Sequence, residues 1–160
     1  MGMARLICLA AMLVWLFAAR PLWAGACVAL VGEEPERVLF SLPFEAGATF
    51  QLEFVNSIYL ARVRESFTVN PEGGISLIRV ESPSYGVFEY YDLMPDQPGV
   101  AHLNRRIGEI RLLSHSYENH LLIMGDKQIH LREFVGNGKP LIIRIMTGER
   151  CRMQRIGGSP

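Results

Sequence analysis

The sequence predicts an all-β domain, an antiparallel β-sandwich or barrel of about nine short strands. Three observations carry this expectation. Runs of strand type with two-residue alternation recur from Cys27 onward. Clusters of Gly, Pro, Asn and Asp stand between them, where reversals need them. No part of this region holds a convincing helical period, and one open sheet would leave its own apolar face uncovered.

In chain order the first group of strands is "CVALV", "RVLFSL", "TFQLEFVN", "RVRESFTVN" and "ISLIRVE", separated by "GEEPE", "EAGA" and "NPEGG". The second group is "EIRLLS", "HLLIM", "QIHLREF" and "LIIRIM". Its connectors are "GDK", which suits a tight hairpin, and "VGNGKP", whose two glycines are expected to supply positive backbone dihedrals. Residues 83–108 fall outside the strand pattern and read as a long folded loop, because they carry Tyr85, Phe88, Tyr90 and Tyr91. These aromatics are expected chiefly to plug one end of the sandwich; a partner-binding loop is the alternative.

The N-terminus is read separately. Arg5 precedes the apolar run "LICLAAMLVWLFAA", and a small-x-small site follows at Ala24-Gly25-Ala26. Residues 1–26 therefore read as a cleaved secretory signal peptide, leaving residues 27–160 as a single extracytoplasmic domain. The run is short for a membrane span, and Arg20 interrupts its extension. Loss of Arg5 and Arg20 takes the 16 basic residues to 14 against 16 acidic ones, so the mature chain carries about −2. No basic stripe with interleaved aromatics is present, which argues against nucleic-acid binding.

Of three cysteines, Cys8 leaves with the signal and Cys27 and Cys151 remain. In an exported chain the simplest fate of two cysteines is a disulfide, here closing nearly the whole domain into one loop. The alternative is a lipid on Cys27, since Gly25 and Ala26 suit a lipoprotein cleavage site although Ala24 is smaller than usual there.

Glu65 is the residue that the alternation makes conspicuous. Phe50, Leu52 and Phe54 share one strand face, and Val63, Phe67 and Val69 share another that also includes Glu65. A buried carboxylate requires a donor. With "SIYLAR" as the reversal, Asn56 is expected to lie close to Glu65 on the inward face, so that Asn56, Ser57 and turn amides form a polar cluster. The role expected first for that cluster is structural, pinning register and turn.

The stretches "FVNSIYLARVRESFTV" and "GGISLIRVESPSYGVFEYY" resemble a family of small exported bacterial domains, the domain of unknown function 1850 family. Members typically show a His-Ser pair at a strand end, a glutamate on the next strand and a glycine-containing loop. Ser57, Glu65 and Gly86 match these positions, and Asn56 stands where the family usually has histidine. An Asn-Glu pair offers one hydrogen-bonding amide and no second titratable group. The resemblance implies association with tripartite ATP-independent periplasmic (TRAP) transporters of the TAXI type, so the partners expected are membrane or solute-receptor subunits of such a system. Membrane contact is expected only through a partner or through a lipid on Cys27.

Other constellations are bland. His115 and His120 in "SHSYENH" have odd spacing and no third ligand, so no metal is expected; they read as turn or surface histidines. No nucleophile elbow, zinc-protease motif or phosphate loop is present, and Ser57 lacks an activating histidine. No catalytic residue and no cofactor are expected. Arg105, Arg106 and Arg111 are interrupted by Glu109 and read as a solvated mixed-charge face. The function expected is that of a non-enzymatic accessory protein, in the periplasm or at the outer face of the inner membrane. The alternatives are a small-ligand module anchored by Asn56 and Glu65, or an envelope structural protein.

Overall fold

The computed structural model describes residues 26–151, except Glu34, Ala46, Pro71, Glu72 and the side chains of Glu149 and Arg150. The expected signal peptide, all but Ala26, lies outside the described residues. Ten strands form: β1 (Cys27–Glu33), β2 (Glu36–Pro43), β3 (Thr49–Asn56), β4 (Ala61–Val69), β5 (Ile75–Glu81), β6 (Val100–Arg106), β7 (Ile110–Leu113), β8 (Leu121–Met124), β9 (Lys127–His130) and β10 (Pro140–Met146). A short helix, α1 (Tyr85–Tyr90), lies between β5 and β6, and 3-10 turns occupy Leu131–Glu133 and Gly148–Cys151.

The strands pair antiparallel in two sheets, one ordered β2-β1-β10-β7 and the other β6-β5-β4-β3-β8-β9. Their inner faces share one core. Val28, Leu30, Leu141 and Ile143 of the smaller sheet meet Phe50, Leu52, Val63, Phe67 and Val80 of the larger. The all-β sandwich is therefore the architecture of the described chain. β1 is buried on both faces, with Ala29 and Val31 packing against Ile142, Val38 and Met146 on the outer side. That explains why "CVALV" is an unbroken apolar run.

Each of the nine expected runs contains a strand, and the tenth, β6, lies in the stretch read as loop. The sequence pattern hides β6 because it is an edge strand with His102, Asn104, Arg105 and Arg106 exposed, so its alternation is diluted. α1 is too short to print a helical period. The "GDK" hairpin forms as expected, Met124 pairing with Lys127 across Gly125, whose φ is 61°. In "VGNGKP" only Gly138 takes positive φ, at 71°, and Gly136 does not.

Tyr117 is fully buried, and its hydroxyl lies 2.8 Å from the Lys139 carbonyl oxygen and 3.1 Å from that of Leu112. It ties the 114–120 connector to β7 and to the residue that leads into β10. His120 corrects the surface reading: its ring stacks on Phe54 at 5.6 Å and meets Tyr117 at 5.2 Å, and burial lowers its pKa. Cys27 and Cys151 form a disulfide with their Cα atoms 5.7 Å apart, joining the two ends of the described chain.

Candidate functional site

The site is built on the β3–β4 hairpin. Its register pairs Phe50 with Phe67, Leu52 with Glu65, Phe54 with Val63 and Asn56 with Ala61. Glu65 is thus on the inward face, with Leu52 beside it on β3 and Val80 on β5. Asn56 is not its neighbour. The reversal takes only residues 57–60, so Asn56 faces Ala61 and lies about 13 Å of strand away from Glu65. The Asn56 side chain closes the turn instead, its Oδ1 accepting from the Ile58 N–H at 2.9 Å and the Tyr59 N–H at 3.1 Å. Ser57 is exposed within that turn.

The donor to Glu65 comes from outside the hairpin. Tyr91, the residue that ends α1, donates from Oη to Glu65 Oε1 at 2.6 Å. Glu65 as a residue keeps a partly open surface, but its carboxyl is enclosed, and burial outweighs the Tyr91 hydrogen bond to raise its pKa from 4.5 to about 6. Burial, and then the Glu65 charge, push the Tyr91 hydroxyl far above the usual tyrosine range, so it remains a donor. Arg105 of β6 holds the other end of Tyr91, its Nη2 donating to the Tyr91 carbonyl at 3.2 Å.

α1 divides its residues between core and surface. Val87 and Phe88 are buried, and Tyr91 continues the Val87 face one turn later. Tyr85, Glu89 and Tyr90 are exposed. The four aromatics of this segment are therefore split: Phe88 and Tyr91 plug the end of the sandwich, and Tyr85 and Tyr90 do not.

Gly86 joins the helix to the hairpin turn. A Cβ built there would stand 2.8 Å from Tyr59 Cδ1 and closer still to Cε1, so the Tyr59 ring lies flush on the helix backbone and any larger residue at position 86 must displace it. Turn 57–60 and α1 consequently form one continuous surface. Ile58 is 67%, Leu60 81%, Tyr90 65% and Met94 80% exposed, and Tyr85 Oη reaches Met94 Sδ at 3.8 Å. Large exposed apolar side chains elsewhere in the described chain are few, with Val55 beside the turn and Leu113 on β7. The outer face of the same sheet is different in kind. Arg64 bridges Glu53 at 2.7 Å and Glu81 at 3.8 Å, and Arg79 pairs with Glu81 at 2.6 Å.

Leu60 has φ of 49°, a left-handed conformation that Gly or Asn adopts with less strain. Neither backbone nor solvent favours leucine there. The alternation of the strands does not single out Ile58, Tyr59, Leu60 or Met94. The signal that could find the first three is "SIYL" itself, three apolar residues at a hairpin apex where polar turn residues are usual.

Of the residues expected to cluster, the structure brings Gly86 to the turn that holds Ser57 and Asn56, and it places Glu65 apart, under α1. Among the described residues no group of three or more His, Cys, Asp or Glu side chains is arranged to hold a metal ion, and no helix is long and apolar enough to cross a membrane. Arg111 pairs with Glu33 at 2.8 Å and with Glu109 at 2.7 Å, within the mixed-charge face. A shallow cavity of about 320 Å³ lies beside the site, lined by Arg62, Arg64, Glu81, Ser82, Pro83 and Gly99. Comparison with family models, curated proteins and solved structures finds no match to this chain.

Proposed function

We propose that this protein is a non-enzymatic extracytoplasmic accessory component of a TAXI-type TRAP solute import system, docking to a membrane or solute-receptor subunit through turn 57–60 and α1. The observation that carries the docking reading is the concentration of exposed apolar side chains where the Tyr59 ring meets Gly86. The transport system itself comes from the resemblance of the residues around Ser57, Glu65 and Gly86 to the domain of unknown function 1850 family. In this reading Glu65 bolts α1 to the sheet through Tyr91, so that Tyr85 and Tyr90 are presented on a rigid base. The rival ligand-binding reading loses its anchor, because Asn56 spends its side-chain oxygen on the turn and does not meet Glu65.

The test is affinity purification from gently solubilised envelopes, comparing the tagged wild type with an Ile58→Asp/Leu60→Asp variant and determining the intact mass around Cys27. Recovery of a transporter subunit with the wild type and its loss with the variant supports the proposal. Recovery of the protein alone in both cases counts against a stable complex. A lipid on Cys27 would explain membrane retention without a partner.

A further inference from the structure

We infer that segment 82–99 is a hinged flap that mild acid holds shut, because two of its side-chain ties to the larger sheet, Tyr91 to Glu65 and Asp96 to His102, strengthen in the same direction. The inference concerns how the segment is attached and does not depend on what docks there. β5 and β6 are neighbours, with Glu81 opposite Val100, so the chain leaves the sheet and re-enters it at one point. Across that neck the Ser82 N–H donates to the Gly99 carbonyl at 3.0 Å, and Gly99 has a φ of 74°. Beyond the neck the N–H groups of Val87, Tyr91, Asp92 and Leu93 find their acceptors within the segment, at Ser84, Val87, Phe88 and Glu89. α1 is therefore held down through side chains.

Two of the holds are indifferent to protons. Val87 and Phe88 enter the core, and Arg105 donates to the Tyr91 carbonyl. The other two titrate. Closing encloses the Glu65 carboxyl, and burial, partly offset by the Tyr91 hydrogen bond, holds it at about 6, whereas opening returns it to water and to its ordinary 4.5. The closed flap thus binds the proton more tightly and is favoured as pH falls through this range. No charged neighbour contributes to that shift: β3 presents Phe50, Leu52 and Phe54, β5 presents Val80, and Arg62, Arg64, Arg79 and Glu81 lie on the outer face. Tyr90, edge-on to Tyr91 at 5.7 Å, and Arg105 act on Tyr91 instead, and His120 is turned to Phe54 and Tyr117.

The second tie has the same sign. His102 Nδ1 lies 2.7 Å from Asp96 Oδ2, and this hydrogen bond holds the Asp96 carboxyl below its ordinary 3.8. A neutral imidazole still donates from Nδ1, but the ion pair exists only while the ring is charged, which histidine achieves on the acid side of neutrality. The tie is therefore strongest between the titration of the carboxyl and that of the ring, and it secures the limb by which the flap returns to β6. Arg79, opposite His102 on β5, is paired with Glu81 at 2.6 Å. Closure also seats Gly86 on the Tyr59 ring, so acid favours the joined surface of turn and helix.

The test is amide hydrogen exchange followed by NMR on the purified protein, read as protection factors at pH 4.5 and 7.5. The Tyr91 and Leu93 amides report the flap, and the slowest amides of β1 and β3 report opening of the whole domain. The flap amides should be less protected than those of β1 and β3 at both pH values. Their opening constant should rise about fifteenfold between pH 4.5 and 7.5 through Glu65 alone, and further through His102. Glu65→Gln should leave only the smaller His102 part, and Glu65→Gln combined with His102→Gln should be flat. Tyr91→Phe keeps the enclosed acid and loses the bolt, so it should open more at every pH and keep the dependence, which serves where Glu65→Gln fails to fold. Equal protection of the flap and the core strands, an opening constant flat in the wild type, a dependence abolished by Glu65→Gln alone, or one that survives both substitutions each overturns the inference.

Discussion

Tyr91 Oη donates a 2.6 Å hydrogen bond to Glu65 Oε1 across 26 positions of sequence. The two residues fasten the helix to the sheet through one polar contact in an otherwise apolar layer. Removing one partner leaves the other enclosed and unpaired, whereas removing both leaves nothing unsatisfied. Tyr91→Phe and Glu65→Leu should each cost about 1–3 kcal/mol, and the double variant less than their sum. Glu65→Gln keeps an acceptor and should be milder than Glu65→Leu. Urea midpoints of the four proteins give the coupling directly; additive costs would mean that the contact contributes nothing to the fold.

The raised pKa of Glu65 fixes a pH dependence with a definite sign. Because the folded value of about 6 exceeds the ordinary 4.5, the native state holds this proton more tightly than the unfolded chain. Above pH 6 both states are ionised and the native state carries the full burial penalty. As pH falls from 6 to 4.5 the penalty is relieved, and below that neither state changes further. The contribution is about 2 kcal/mol, from 1.36 kcal/mol per pKa unit. Other carboxylates titrate nearby, so the measurement is a difference: Glu65→Gln minus wild type should grow by about 2 kcal/mol between pH 4.5 and 7. A flat difference would show that Glu65 titrates normally.

Much of this is legible in the sequence, and the rest is hidden for physical reasons. The alternation around "TFQLEFVN" and "RVRESFTV" places Glu65 on the inward face, and the register bears that out. The partner of Glu65 is not legible, because Tyr91 arrives through α1, a helix too short to leave a periodic mark. Nor is the true neighbour of Asn56, since register depends on turn length and "SIYLAR" does not announce a four-residue turn. The disulfide follows from counting cysteines, whereas the merging of turn and helix needs the Gly86–Tyr59 contact, which no local pattern encodes.

That contact makes a prediction separate from stability. In Gly86→Ala the new methyl group overlaps the Tyr59 ring, which sits at the half-exposed end of a flexible side chain and swings away. The cost should stay below about 1.5 kcal/mol, while the Tyr59 and Tyr90 aromatic resonances shift and docking weakens. Unchanged Tyr59 resonances would mean that ring and helix do not touch in solution.

The disulfide should carry a larger share of stability than any contact in the site. It closes a loop with a sequence separation of 124, and cross-links over loops of that order contribute about 3–5 kcal/mol. Cys27→Ser/Cys151→Ser should lower the unfolding free energy by that amount, with no further loss on adding reductant. A wild type indifferent to reductant would indicate unpaired thiols or a modified Cys27.

Leu60 sets function against stability most directly. Its φ of 49° costs a leucine about 1 kcal/mol relative to a residue at home in the left-handed region, and its 81% exposure returns almost no burial in exchange. Leu60→Asn relieves the backbone and removes an apolar tip from water. It should therefore raise the unfolding free energy by about 0.5–1 kcal/mol. The same change removes an anchor from the docking surface, so recovery of a transporter subunit by affinity purification should fall as stability rises. A variant that is more stable and docks as well as the wild type would leave the strained leucine without a role in binding, and the contact would have to centre on Tyr85, Tyr90 and Met94.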